Sequence, residues 1–270
     1  MRLATRLLPL LLAAPAALGS CRGAMSPLQN RLAVGQEPFV VFAARGEGGE
    51  GDLFAARADG GAVYPVTYSR IHEATPALDP SGIMLAFARA RSAAESDRGA
   101  VWVMNLLTGQ ERRLTEPGRL GRIERIGWGR DGATLFLETA AGRYRVGAPP
   151  GPAELERVGG AEAPAAESAL AVLLGEPPRA RVTACPADSA AEPAAGSAPG
   201  LCVETAGGEV TPLAGRARDP LRWGTDSVAY FVGDELEVRP LAGGRTRRAR
   251  WTRPPAEPRE ATYAAGRPAG

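Results

Sequence analysis

Thr75-Pro76-Ala77-Leu78-Asp79-Pro80-Ser81-Gly82-Ile83-Met84-Leu85-Ala86-Phe87 leads through an Arg/Ser-rich loop to Ala100-Val101-Trp102-Val103-Met104-Asn105, then a turn, then Arg112-Arg113-Leu114-Thr115. This stretch holds four short β-prone segments, and its local chemistry is that of a meander. Asp79-Pro80-Ser81-Gly82 places Asp first in a type I turn, Pro second where its fixed φ fits, and Gly last. The pentad Ile83 to Phe87 is nearly continuous in apolar residues, as expected of a strand covered on both faces.

The unit recurs. Trp128-Gly129-Arg130-Asp131-Gly132 and Trp223-Gly224-Thr225-Asp226-Ser227 align with Leu78 to Gly82, and each precedes an apolar pentad, Ala133 to Leu137 and Val228 to Val232. Fainter copies put repeat starts near Ala33, Leu78, Trp128, Pro164 and Trp223, a mean spacing of roughly 48 residues,. That spacing fits propeller blades or long solenoid repeats, and four strands per repeat favours blades. Single blades cannot bury their faces alone, so they must close into a ring. The expected fold is therefore all-β: a β-propeller of about five four-stranded blades, with six as the alternative, and no separate α/β domain. The fourth repeat is degenerate, because Ala165 to Leu174 suits a strand or a short helix equally.

The combination of a Trp or Leu, the turn, an Ala-Phe strand, Trp102-Val103-Met104-Asn105, Thr108-Gly109 and Arg112-Arg113-Leu114-Thr115 resembles the repeat of TolB-type β-propellers. The match is good from Leu78 to Thr115, partial from Trp128 to Leu137 and from Trp223 to Val232, and only hydrophobic elsewhere. The resemblance implies the propeller architecture, and neither the identity nor the partners of TolB. TolB carries a further α/β domain ahead of its propeller and no lipid. This sequence is expected to differ on both points.

Composition narrows the chemistry. All 32 basic residues are arginine, as codon bias readily produces, so Lys nucleophiles, Schiff bases and Walker-type phosphate loops are excluded,. A net charge of +2 gives no electrostatic footprint for nucleic acid,. With one histidine and three cysteines a four-ligand zinc site would need several carboxylates, and no cofactor or metal is expected,. The acidic glycine loop Gly46 to Asp52 lacks the spacing of a calcium loop.

The N-terminus reads as an export signal over residues 1–20: Arg2 and Arg6, an apolar run from Leu7 to Leu18, then Gly19-Ser20-Cys21,. The run is too short to span a bilayer comfortably. Cys21 after small residues resembles a bacterial lipobox, which implies acylation of Cys21 and a lipidated tether over 21–31; ordinary secretion is the alternative. Arg22 after the cysteine favours the outer membrane by the same resemblance. Cys185 and Cys202, in an oxidising compartment, either form a disulfide contributing ~3 kcal/mol through the unfolded chain or remain two buried thiols. The propeller is expected over 32–252. Residues 253–270, rich in Pro, Ala, Gly and Arg, are expected to be a disordered tail.

Candidate chemistry is sparse. The resemblance extends to the propellers of prolyl-peptidase-type hydrolases, yet the sequence has no Gly-x-Ser-x-Gly elbow. His72 beside Glu73 reads as an acid/base pair, as in some polysaccharide lyases, or as the polar entrance to an innermost strand. Segments leading into innermost strands cluster around the channel mouth, where loops on a rigid ring carry binding function. They contain Tyr68, Arg70, His72 and Glu73; Arg119, Arg122, Glu124 and Arg125; and Arg216, Arg218 and Asp219. An arginine-rich mouth suits an acidic peptide or carboxylated glycan, although charged loops also simply solvate a propeller. The strip Arg245, Arg247, Arg248, Arg250 and Arg253 reads as a lipid headgroup contact or as protection of an outer strand. The expected function is a lipid-anchored periplasmic scaffold without enzymatic activity, with envelope or membrane proteins as partners. The alternative is a glycan- or peptide-binding propeller, a degenerate lyase or hydrolase among the options.

Overall fold

The computed structural model describes residues 26–174, 180–185, 200–241 and 244–266. Three strands come first: β1 (Phe39–Arg45), β2 (Gly51–Arg57) and β3 (Gly60–Pro65). Blade 2 follows with β4 (His72–Leu78), β5 (Met84–Ala90), β6 (Ala100–Asn105) and β7 (Glu111–Arg113). Blade 3 is β8 (Ile123–Trp128), β9 (Thr134–Thr139), β10 (Gly142–Gly147) and β11 (Leu155–Arg157). Helix α1 (Ala163–Leu170) precedes blade 4, which is β12 (Leu173–Leu174), β13 (Ala180–Ala184), β14 (Leu201–Thr205) and β15 (Val210–Ala214). Blade 5 is β16 (Ala217–Trp223), β17 (Ser227–Val232), β18 (Glu235–Pro240) and β19 (Arg247–Arg248), and the chain ends in β20 (Arg250–Thr252) and β21 (Arg259–Ala264). Blades 2 to 5 are antiparallel meanders, blade 1 is completed by the last two strands, and the whole is a five-bladed β-propeller.

The sequence period explains the ring. Side chains alternate across a strand, so Phe39, Val41 and Ala43 of β1 enter the seam toward blade 2 with Leu85 and Phe87. Val40, Phe42 and Ala44 enter the seam toward blade 5 with Ala229 and Phe231. Each of the large side chains among them contributes roughly 1.5–3 kcal/mol by leaving water. The turn anticipated at Asp79 forms, and the Asp79 carboxylate accepts from the backbone N–H groups of Ile83 and Met84, both at 2.8 Å. Gly82 takes φ +71 at its end.

Two expectations about the termini are corrected. The segment 253–270 is not a disordered tail throughout, because β21 is the innermost strand of blade 1, paired with β1. Two neighbouring residues of β21 serve opposite seams: Tyr263 stacks on Trp223 of blade 5 at 4.2 Å, while Ala264 is buried in the seam toward blade 2. At the outer edge of blade 1, β20 runs parallel to β3, and Trp251 stacks on Phe42 at 4.6 Å. The ring is thus closed by the two ends of the chain sharing one blade. At the N-terminus, the ring begins before residue 32, because the described part of the 21–31 tether is packed into it: Leu28 is fully buried, with Leu32 and Val34 beside it in the first seam. Residues 1–25, including Cys21, lie outside the described residues.

Blade 4 departs from the pattern. The ambiguous segment Ala165 to Leu174 forms mostly helix, with Pro164 in its first turn where the missing N–H costs nothing,. The helix presses so close to blade 3 that a Cβ on Gly127 would lie 2.1 Å from the Ala169 carbonyl oxygen. Cys185 and Cys202 are joined in a disulfide, with Cα atoms 4.9 Å apart.

Candidate functional site

The N-terminal ends of the inner strands meet around one mouth of the channel, and four of them are bulged there. Register breaks between Ala74 and Ala77 in β4, between Ile123 and Arg125 in β8, and between Arg218 and Leu221 in β16. In β21 it breaks opposite Val41 and Ala43. A bulge inserts a residue, bends the strand and re-aims its side chains. Three residues within these irregularities, Thr75 (φ 48), Asp219 (φ 52) and Glu260 (φ 48), adopt left-handed backbone. That conformation costs a non-glycine residue about 1–3 kcal/mol and persists only where surroundings enforce it.

The enforcing contacts are visible. The Glu260 carboxylate accepts the Thr75 N–H at 2.6 Å, and the Thr262 hydroxyl oxygen accepts the Leu78 N–H at 3.1 Å, so β21 holds β4. The Arg218 guanidinium donates to Asp219 at 2.8 Å, to the Pro258 carbonyl at 2.6 Å and to the Gly233 carbonyl at 2.8 Å, above the Phe231 ring. Burial raises the Glu260 carboxyl above its ordinary value; the Thr75 N–H, Arg259 and Arg122 pull it down, and Asp219 pushes it up. Among the described residues, the buried side-chain atoms left without a hydrogen-bond partner are Thr75 Oγ1, Arg259 Nε and Glu73 Oε2. The first two belong to this mouth, where they offer a hydroxyl and a guanidinium N–H.

Of the residues expected at the mouth, Tyr68 (76% exposed) and Arg70 lie on the loop into β4, and Arg119 and Arg122 are exposed on the loop into β8. Glu124 and Arg125 are exposed on β8, with Arg125 3.6 Å from Glu138, and Arg216 is exposed before β16. Arg218 and Asp219 are partly exposed and bonded to each other.

His72 and Glu73 do not belong to the exposed surface. His72 is buried and its Nδ1 accepts the Gly51 N–H at 3.2 Å. Burial, Arg259 and Arg122 hold its imidazole below the ordinary value against the pull of Glu50. The neutral ring makes its 3.6 Å approach to the Glu50 carboxylate a contact and not an ion pair. Glu73 is wholly enclosed in the seam and receives Arg89 Nε at 2.7 Å. Burial raises its carboxyl, with Thr67 and Arg89 opposing. Arg89 extends to Glu111 at 2.7 Å and lies over Trp102 at 4.6 Å, which makes a brace across blade 2. Strand packing brings β4 so near β2 that a Cβ on Gly51 would stand 2.7 Å from the Glu73 carbonyl oxygen.

Thr75, Arg259 and Glu260 join the site unannounced by the sequence. The other end of the channel holds a cavity of about 430 Å³ lined by Trp128, Arg130, Ser168, Leu173 and Arg222 among others. Among the described residues, no group of three or more His, Cys, Asp or Glu side chains is placed to hold a metal ion.

No family model matches the chain, and no curated protein matches it. The fold is similar to that of TolB from Acinetobacter baumannii, at a TM-score of 0.54 and 15% identity, over 84% of this chain and 66% of TolB. The chain therefore spans slightly less than two thirds of that protein. It is equally similar to a chain in the crystal structure of a nidogen/laminin complex, at a TM-score of 0.53 and 10% identity, over 85% of this chain and all of the other. At these identities the likeness is one of fold: the chain is a five-bladed β-propeller whose fold is similar to those of TolB and of the nidogen/laminin chain.

Proposed function

We propose that the chain is a lipid-anchored envelope propeller that binds a protein partner at its mouth and performs no catalysis of its own. One observation carries the reading. The groups best suited to acid/base work, His72 and Glu73, are turned into the seam and committed to Gly51 and Arg89, whereas Tyr68, Arg70, Arg119 and Arg122 surround the mouth in solvent. A rigid ring bearing exposed aromatic and arginine side chains has the composition of a binding surface. The Cys185–Cys202 bond supports an exported location, since such bonds persist in oxidising compartments,. Envelope localisation and acylation of Cys21 rest on the sequence alone.

A second reading is favoured by the unpartnered Thr75 hydroxyl and Arg259 Nε, which together suit a carboxylate-bearing glycan or peptide in the channel,. Purification from detergent-solubilised membranes separates the two. The first reading expects a stoichiometric protein partner that is lost with Tyr68→Ala plus Arg122→Glu and retained with Leu241→Ala at the other end. A monomer carrying a glycan mass, or no partner at all, would sink it.

A further inference from the structure

The first described residues fix where the chain leaves the ring. The Ser26 hydroxyl donates to the Leu106 carbonyl at 2.6 Å, Leu28 is fully buried, and Arg31 lies over the Tyr64 ring at 5.6 Å. The Leu106 N–H in turn bonds the Ile83 carbonyl at 2.9 Å, beside the turn between β4 and β5. Ser26 therefore sits at the end of the ring formed by the C-terminal ends of the inner strands. The mouth with its bulges is at the opposite end.

We infer that this Ser26 end stands on the lipid surface and that the mouth is directed away from it. The inference rests on the acylation of Cys21 proposed above. Only Arg22, Gly23, Ala24 and Met25 separate Cys21 from Ser26, and five Cα–Cα steps reach at most ~18 Å. The ring is at least as tall as its inner strands, and the seven residues of β4 span roughly 20–23 Å,. Fully extended, the tether is shorter than the ring is tall. A mouth-down orientation would need the tether fully stretched along the whole height of the ring, whereas the Ser26 end reaches the bilayer with the tether relaxed. Two outer turns at the anchored end carry exposed leucines, Leu107 (51%) and Leu241 (37%). Leu241 is placed at that end by its N–H bond to the Asp226 carbonyl at 2.8 Å, in the turn between β16 and β17. Such side chains suit the headgroup boundary of a membrane. Tyr68 and Ile71, exposed at the other end, stay in water for a partner.

The test uses the full lipidated chain in vesicles that contain a nitroxide-headgroup lipid, with a fluorophore on one introduced cysteine at a time: Leu107→Cys, Leu241→Cys, Tyr68→Cys and Arg119→Cys. Quenching several-fold stronger at 107 and 241 than at 68 and 119 is the expected result. Equal quenching at all four sites, or stronger quenching at the mouth, overturns the orientation. The mass of the mature chain reads the anchor separately. An unmodified N-terminus removes the anchor and the orientation together, whereas an acylated chain with the wrong quenching order removes the orientation alone.

Discussion

Blade 2 and blade 4 have the same four strands in the same order, yet they are held in the ring by different means. In blade 2 the inner strand has seven residues and both sheet faces are apolar: Leu85, Phe87 and Met104 face blade 1, while Ala86, Val101 and Val103 face blade 3. In blade 4 the inner strand has two residues. Toward blade 5 it offers Leu174, Val182, Leu201 and Leu213; toward blade 3 the contact passes through α1, whose Ala166 and Leu170 pack on Phe136. The disulfide ties the end of β13 to β14. A ring needs every seam filled, but a helix and a covalent bond can stand in for a strand and its side chains.

The sharpest way to break this comparison is to empty one seam of each kind. Phe87 is completely buried, so Phe87→Ala should cost about 3–5 kcal/mol from lost transfer energy and a cavity that rigid neighbours cannot collapse,. Leu170, at the helix seam, has fewer buried apolar partners. Leu170→Ala should fall near the lower limit for such truncations, about 2 kcal/mol. Denaturant melts measure both, and equal losses would mean that α1 seals its seam as well as strands do. Removing the covalent tie comes next. Cys185→Ser with Cys202→Ser should cost roughly 2–3 kcal/mol, and hydrogen exchange should quicken in β13 and β14 while β4 to β6 stay protected. Uniform quickening would show that blade 4 does not fold as a separable part of the ring.

These contrasts also mark what the sequence can express. Blade 2 was legible because its signals are local: a turn fixed by Asp79 and Gly82, and apolar pentads whose burial follows from their own composition. Ring closure was not. Arg259 to Ala264 has two charges, three small residues and a tyrosine, and nothing nearby in the chain reveals the open edge of β1 that makes it a strand. At the mouth, the exposed loop residues Tyr68, Arg70, Arg119 and Arg122 were readable as loop residues next to strands. The burial of His72 and Glu73 was not, because the close approach of β4 to β2 at Gly51 decides it. The left-handed residues Thr75, Asp219 and Glu260 carry no glycine to announce them.

Glu260 gives the finest probe of the well-packed side, since it ties blade 1 to blade 2 at the channel through the Thr75 N–H. Burial, first among its causes, raises its folded pKa above the unfolded value. The folded chain therefore binds this proton more tightly than the unfolded chain does. The stabilisation from that proton is complete below the unfolded value and is lost as pH rises through the folded one. Glu260→Gln keeps an acceptor for the Thr75 N–H and cannot ionise. It should flatten stability against pH across that acidic window and leave the protein at pH 7 within roughly 1 kcal/mol of the parent, on the stable side if ionisation is what costs energy there. Chemical denaturation at stepped pH reads the slope. A variant with the parent's pH dependence would show that Glu260 titrates alike in the folded and unfolded chain and that the channel solvates it.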